Sequence, residues 1–139
     1  MDVPLTGKAD LSKYKPRKVS PNATVTYGGV NLVITSATAT LSSDGPQANK
    51  GMMYVVVNIT INNTSSHTFY GGLTNVRLKS GATSSPPARS LDTVAPGQTN
   101  VQNTLTFTMP QGTTDFSLVF LPSTDNNAPT QATANFQIP

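Results

Sequence analysis

The sequence predicts an all-β, immunoglobulin-like antiparallel β-sandwich of seven to nine strands with no disulfide. Three observations carry the prediction. Residues 52–62 alternate strictly, with Val55, Val57, Ile59 and Ile61 on one face and Tyr54, Val56, Asn58 and Thr60 on the other. That alternation marks a half-buried strand of an antiparallel sheet. Turn signals recur every ~8–12 residues, the spacing of a sandwich. Composition is the third. The 139 residues are 36% hydrophobic and 11% charged, all six acids are Asp, and Ser, Thr, Asn and Gln make up 52 positions. A helical protein would be rich in Glu, Lys, Leu and Ala instead.

The elements follow in order. Residues 1–22 read as a flexible basic tether, because Leu5, Leu11 and Tyr14 share no period and Pro4, Pro16 and Pro21 punctuate the stretch. The sandwich is placed at 23–139. Thr24–Tyr27 and Val30–Ile34 flank Gly28-Gly29, a hairpin signal because primed two-residue turns need positive φ. The second strand runs on to Leu41, and its small residues predict a flat surface or a bulge near Ser36. Residues 42–51 form a loop, and Met52–Asn62 is the strongest strand. Short strands are expected around His67–Tyr70 and Asn75–Lys79. Gly81–Pro87 is too poor in apolar residues to pack. Val94–Gly97 reads as a turn, carried by Pro96 and Gly97. Leu105, Phe107 and Met109 form one inward row, Phe116, Leu118 and Phe120 another, and Phe136 and Ile138 anchor a last strand.

Bulk properties limit the function. Without Cys there is no disulfide framework, zinc–thiolate site or cysteine nucleophile. No apolar run approaches the ~18 residues needed to cross a bilayer. The net charge of +3 lies wholly in residues 1–20, where Lys8, Lys13, Lys15, Arg17 and Lys18 face Asp2 and Asp10. The remaining chain is neutral. A nucleic-acid binder carries basic residues across its folded surface, so nucleic acid is argued against. Met1-Asp2 opens without an apolar signal segment. The Thr- and Asn-rich, Cys-free body points to a secreted or surface protein whose signal or anchor lies upstream of this chain.

Several of these segments occur together in a known family. Tyr27-Gly-Gly-Val30, Tyr54–Asn63, Val94-Ala-Pro-Gly-Gln98, Leu105–Pro110 and Asp115–Phe120, in this order, resemble the bacterial extracellular immunoglobulin-like domains related to the secreted mycobacterial immunoprotective antigen. The resemblance covers residues 23–121. It implies a secreted or surface-anchored protein, often a lipoprotein, and transfers no catalytic residue. The strand after Ser123 stands outside it.

Candidate chemistry is sparse. His67 is the sole His, sits after an Asn- and Ser-rich turn, and has no Gly-x-Ser-x-Gly elbow to serve, so it reads as a surface or strand-edge residue. The Asp residues fall in or beside turns, which Asp favours by bonding its own backbone. They do not read as paired catalytic carboxylates. Asp44, Asp125 and Asn126 offer hard oxygens of the kind calcium takes, though without EF-hand spacing. No cofactor is expected. Tyr54, Phe69 and Tyr70 could form an aromatic contact patch, with a core or edge role as the plainer reading. Lys13, Tyr14, Lys15, Arg17 and Lys18 are the candidate interaction residues. They form a spacer, a polybasic contact with anionic lipid or wall polymer, or a strand lent to a neighbour.

The expected function is a non-enzymatic extracellular or cell-surface binding domain. Its partner is a protein or a wall or membrane surface, met through loops at one sandwich end or an exposed edge. The alternative is a subunit of a surface filament or pilus that self-associates by pairing edge strands.

Overall fold

The computed structural model describes residues 15–42, 47–72 and 75–139. They form nine strands in two antiparallel sheets. The strands are β1 (Arg17–Val19), β2 (Ala23–Tyr27), β3 (Val30–Thr40), β4 (Met52–Asn62), β5 (Val76–Ser80), β6 (Thr83–Ser85), β7 (Val101–Pro110), β8 (Asp115–Phe120) and β9 (Ala132–Gln137). One sheet runs β3-β4-β7, with β1 and β2 both on the outer edge of β3. The other runs β6-β5-β8-β9. In immunoglobulin terms β3, β4 and β7 take the places of strands A, B and E, and β6, β5, β8 and β9 those of C′, C, F and G.

Alternation sets the layers. On β4 every second residue from Met53 to Ile61 is buried, and on β7 Leu105, Phe107 and Met109 are. The opposing sheet contributes Val76, Leu78, Phe116, Leu118, Phe120 and Phe136 to the same core. Each such side chain contributes about 1.5–3 kcal/mol on burial. With no thiol staple, these rows hold the sheets together. β4 pairs along its length with β7, from Met52 opposite Pro110 to Ile61 opposite Val101, which fixes the register of the larger sheet.

Glycines 28 and 29 close the β2–β3 hairpin with φ of 59° and 80°, as their position requires. Of the flat surface or bulge expected near Ser36, the bulge is present: the β3–β4 register shifts between Ile34 and Ser36. The extra residue, Thr35, returns Ala37 and Ala39 to the core side. It also splits the outer edge of β3. β2 pairs with Val30–Ile34 and β1 with Ala37–Ala39.

Three segments depart from expectation. Arg17–Val19, placed in the tether, is a strand, because the second half of β3 offers an edge that β2 does not reach. Ser20-Pro21-Asn22 bridges the two halves, with Asn22 at φ 49°. The segment around His67–Tyr70 is no strand. It makes one bridge, Phe69 to Val94, because side-chain bonds to the local backbone replace the ladder there. Thr83–Ser85, expected to be unable to pack, is a strand paired with β5. A ladder needs backbone groups rather than apolar side chains, and Gly81 at φ 56° supplies the turn.

Candidate functional site

One end of the sandwich gathers four connections: the Gly28-Gly29 hairpin, the β4–β5 loop, the β6–β7 loop and the β8–β9 loop. An aromatic plug joins them. The Tyr27 ring meets Phe69 edge-on at 6.4 Å and Phe120 at 5.6 Å. Such pairs add about 0.5–1.5 kcal/mol beyond area burial. The Tyr27 hydroxyl donates to the carbonyl of Leu121, just past the end of β8. Burial of the ring raises the phenol's pKa above its ordinary value, while bonding to the Asn126 and Ser123 side chains pulls the other way.

Two buried asparagines fix the loops to this plug. Asn63 has no exposed surface. Its Nδ2 donates to the carbonyls of His67 and Val94, both at 2.9 Å, and its Oδ1 accepts from the amide and hydroxyl of Ser65. One side chain thus satisfies the turn of its own loop and ties it to the β6–β7 loop. Asn126, 1% exposed, does the same from the β8–β9 loop. Its Oδ1 accepts from the Tyr70 amide at 2.7 Å and its Nδ2 donates to the Tyr70 carbonyl at 2.9 Å. A carboxamide offers donor and acceptor side by side, the pattern of a neighbouring strand.

Close backbone approach completes the junction. A Cβ on Gly28 would lie 1.9 Å from the Asn126 carbonyl oxygen, and one on Gly71 would lie 1.9 Å from the Leu91 carbonyl oxygen. Loops this tightly seated hold Tyr70 in place. Its neighbour Phe69 is in the core, yet Tyr70 is 49% exposed, the one large hydrophobic side chain that is exposed among the described residues. The β8–β9 loop beside it carries an open depression of about 550 Å³ lined by Pro122, Ser123, Thr124, Asn127, Ala128 and Pro129.

The residues singled out from sequence fall in different places. Lys13, Tyr14 and Asp44 lie outside the described residues. Lys15 is exposed ahead of β1. Arg17 and Lys18 stand on opposite faces of β1. Arg17 is half-buried, with Nη1 donating to the Pro139 carbonyl at 2.9 Å and Nη2 3.9 Å from the Met53 sulfur, while Lys18 is exposed. β1 therefore divides these two cations. Asp125 is exposed, whereas Asn126 has its side-chain oxygen on the Tyr70 amide, so a cation there would compete for that oxygen. Among the described residues no three His, Asp or Glu side chains cluster as metal ligands. His67 is half-buried and its Nε2 has no hydrogen-bond partner among the described residues. Of the three aromatics weighed as a patch, Phe69 is core and Tyr54 half-buried, leaving Tyr70. The roles of Asn63 and Tyr27 escape the sequence reading. The available signals were an Asn-Asn pair closing a strand and a Tyr set just before Gly-Gly.

A family model described as "Domain of unknown function (DUF4352)" matches residues 20–130. No curated protein matches the chain. Among solved structures, YcdA of Bacillus subtilis, provisionally described as a lipoprotein, superposes with a TM-score of 0.61 at 14% identity. The match covers 98% of this chain and 39% of that one, so the present chain spans well under half of the YcdA chain. At this identity the likeness concerns the fold.

Proposed function

This chain belongs to the DUF4352 family, and from its geometry we propose that it is a non-enzymatic interaction domain at the cell surface or outside it, contacting a protein or envelope partner through the loop end around Tyr70. One observation carries the reading. Tyr70 exposes its ring while Asn126 takes both its backbone groups. Tyr is enriched among interface hot spots, and an anchor already held in place loses less entropy on binding. In antibody variable domains the B–C and F–G loops belong to the recognition end. Tyr70 and Asn126 lie on the corresponding β4–β5 and β8–β9 loops.

The surface location draws on the Cys-free, amide- and hydroxyl-rich composition and on the lipoprotein description of YcdA. Kinship with the secreted mycobacterial immunoprotective antigen, drawn from Tyr27–Val30 and the segments after it, belongs to the same proposal. The non-enzymatic reading is supported by His67, whose Nε2 has no hydroxyl partner among the described residues, and by Ser65, whose hydroxyl is engaged with Asn63 and the His67 carbonyl. Edge pairing into a filament has less support, since at the β7 edge the Thr106 carbonyl already accepts from the Ala88 amide.

A photo-reactive residue placed at position 70 tests the reading on intact cells that make the protein. Ala82, exposed in the β5–β6 turn, is the control position. Adducts at 70 and none at 82 are expected. Equal labelling, or none at 70, would overturn the loop-end contact.

A further inference from the structure

The outer face of the β2-β3-β4-β7 sheet is unusual in its chemistry. Its outward positions run in rows set by the strand registers. Thr26, Asn31 and Asn62 form one row, and Thr24, Val33, Thr60 and Gln102 the next. Asn58 and Thr104 stand on a third, with the buried Ser36 paired to Asn58, followed by Thr38, Val56 and Thr106, then Thr40, Tyr54 and Thr108. Lys18, opposite Thr38, is the sole charged side chain on these rows among the described residues. Soluble surfaces ordinarily intersperse both signs of charge. Here hydroxyls and amides replace them.

The centre of this face is a site with fixed polar groups. An open depression of about 590 Å³ is lined by Thr35, Asn58, Thr60, Gln102 and Thr104, with Ile59 and Asn103 between them in sequence. The bulge sets both Thr35 and Ser36 against Asn58. Asn58 Nδ2 donates to Ser36 Oγ at 2.8 Å, and Thr104 Oγ1 donates to Asn58 Oδ1 at 2.8 Å. That relay locks the Asn58 carboxamide and leaves its second N–H and second lone pair for a ligand. The amide of Gln102 is exposed and makes no hydrogen bond among the described residues.

We propose that this face binds an uncharged polysaccharide, with the Asn58–Thr104 depression as its central subsite. An anionic ligand would call for Lys or Arg here, a cation for Asp, and a lipid for apolar lining. Paired donors and acceptors without charge suit the hydroxyl and acetamido groups of a neutral sugar. A chain lying along β4 from Asn58 passes Val56 and reaches the Tyr54 ring roughly 14 Å away. Binding therefore strengthens with oligosaccharide length. This site is separate from the Tyr70 end and stands without it.

Titration of the full chain with di- and hexasaccharides of N-acetylglucosamine and of glucose, followed by calorimetry and by amide chemical shifts, tests the proposal. At least one hexamer is expected to bind more tightly than its dimer and to shift the amides of Thr35, Asn58, Thr60, Gln102 and Thr104. Thr60→Val with Gln102→Ala removes two partners that no other side chain uses among the described residues, and should weaken the hexamer about 10-fold with unchanged melting. Gln102→Ala alone serves if the double variant folds poorly, with a loss of about 3-fold. Tyr70→Ala should leave sugar affinity intact. No binding by either hexamer, shifts confined to the loop end, affinity unaltered in the face variants, or loss in Tyr70→Ala would each overturn the platform.

Discussion

The carboxamide of Asn126 holds Tyr70 by both main-chain groups, accepting from its amide and donating to its carbonyl across 56 residues of chain. The contact joins the two loops that bound the exposed aromatic. It is a side chain standing where a β-strand would otherwise pair.

Removing that side chain should loosen the end without unfolding the sandwich. Asn126→Ala leaves two backbone groups of Tyr70 unpaired and a void beneath them. The loss is about 2–4 kcal/mol. Hydrogen exchange at the Tyr70 amide should accelerate while the β4–β7 ladder stays protected. Uniform acceleration across both sheets would show that the clamp supports the whole fold instead.

Two glycines should prove intolerant for different reasons. Gly28→Ala combines φ of 59° with a Cβ 1.9 Å from the Asn126 carbonyl oxygen. Gly71→Ala meets the Leu91 carbonyl oxygen at the same distance, without a positive φ. Backbone on both sides must shift, so each should lose upwards of ~3 kcal/mol. Gly112→Ala is the control, since φ is 85° but its Cβ would meet open space. Strain alone costs about 1–2 kcal/mol there. Urea melts of the three variants check the ordering.

Much of the fold was legible because burial obeys a period of two. Met52–Asn62 and Leu105–Met109 alternate in the sequence and in burial, and Phe116, Leu118 and Phe120 reach the core as their spacing predicts, although Val119 between them is buried too. The Gly28-Gly29 turn and the bulge beside Ser36 were also readable, one from backbone freedom and one from a run of small residues. The site was less so. Tyr70 differs from Tyr54 only in what lies beside it, and that depends on Asn126, which is distant in sequence. β1 escaped notice because its pairing edge exists only after β2 stops short on β3.

Tyr27 gives the fold an alkaline limit. Its pKa is raised by burial from the ordinary value of 10.0, so the folded state holds the phenol proton more tightly than the unfolded chain does. Its contribution is complete below pH ~10 and falls as pH rises through the raised folded value. Stability should therefore decline above pH ~10, measured by denaturant midpoints across an alkaline series. In Tyr27→Phe that decline should flatten. The variant should also lose about 1–3 kcal/mol at neutral pH, because the Leu121 carbonyl loses its donor.

Adjacent asparagines offer the sharpest contrast. Asn62 is the last residue of β4, and its Oδ1 accepts a single bond from the Asn100 amide at 2.8 Å in an exposed setting. Asn63 is fully buried and makes four bonds, to His67, Val94 and twice to Ser65. Water can replace the partner of Asn100 but cannot reach the groups that Asn63 serves. Asn62→Ala should cost about 0.5–1.5 kcal/mol, and Asn63→Ala about 3 kcal/mol or more. Thermal melts of the two single variants decide the point. Similar losses would mean that the β4–β5 loop keeps its shape without the buried carboxamide, and that Tyr70 rests on Asn126 alone.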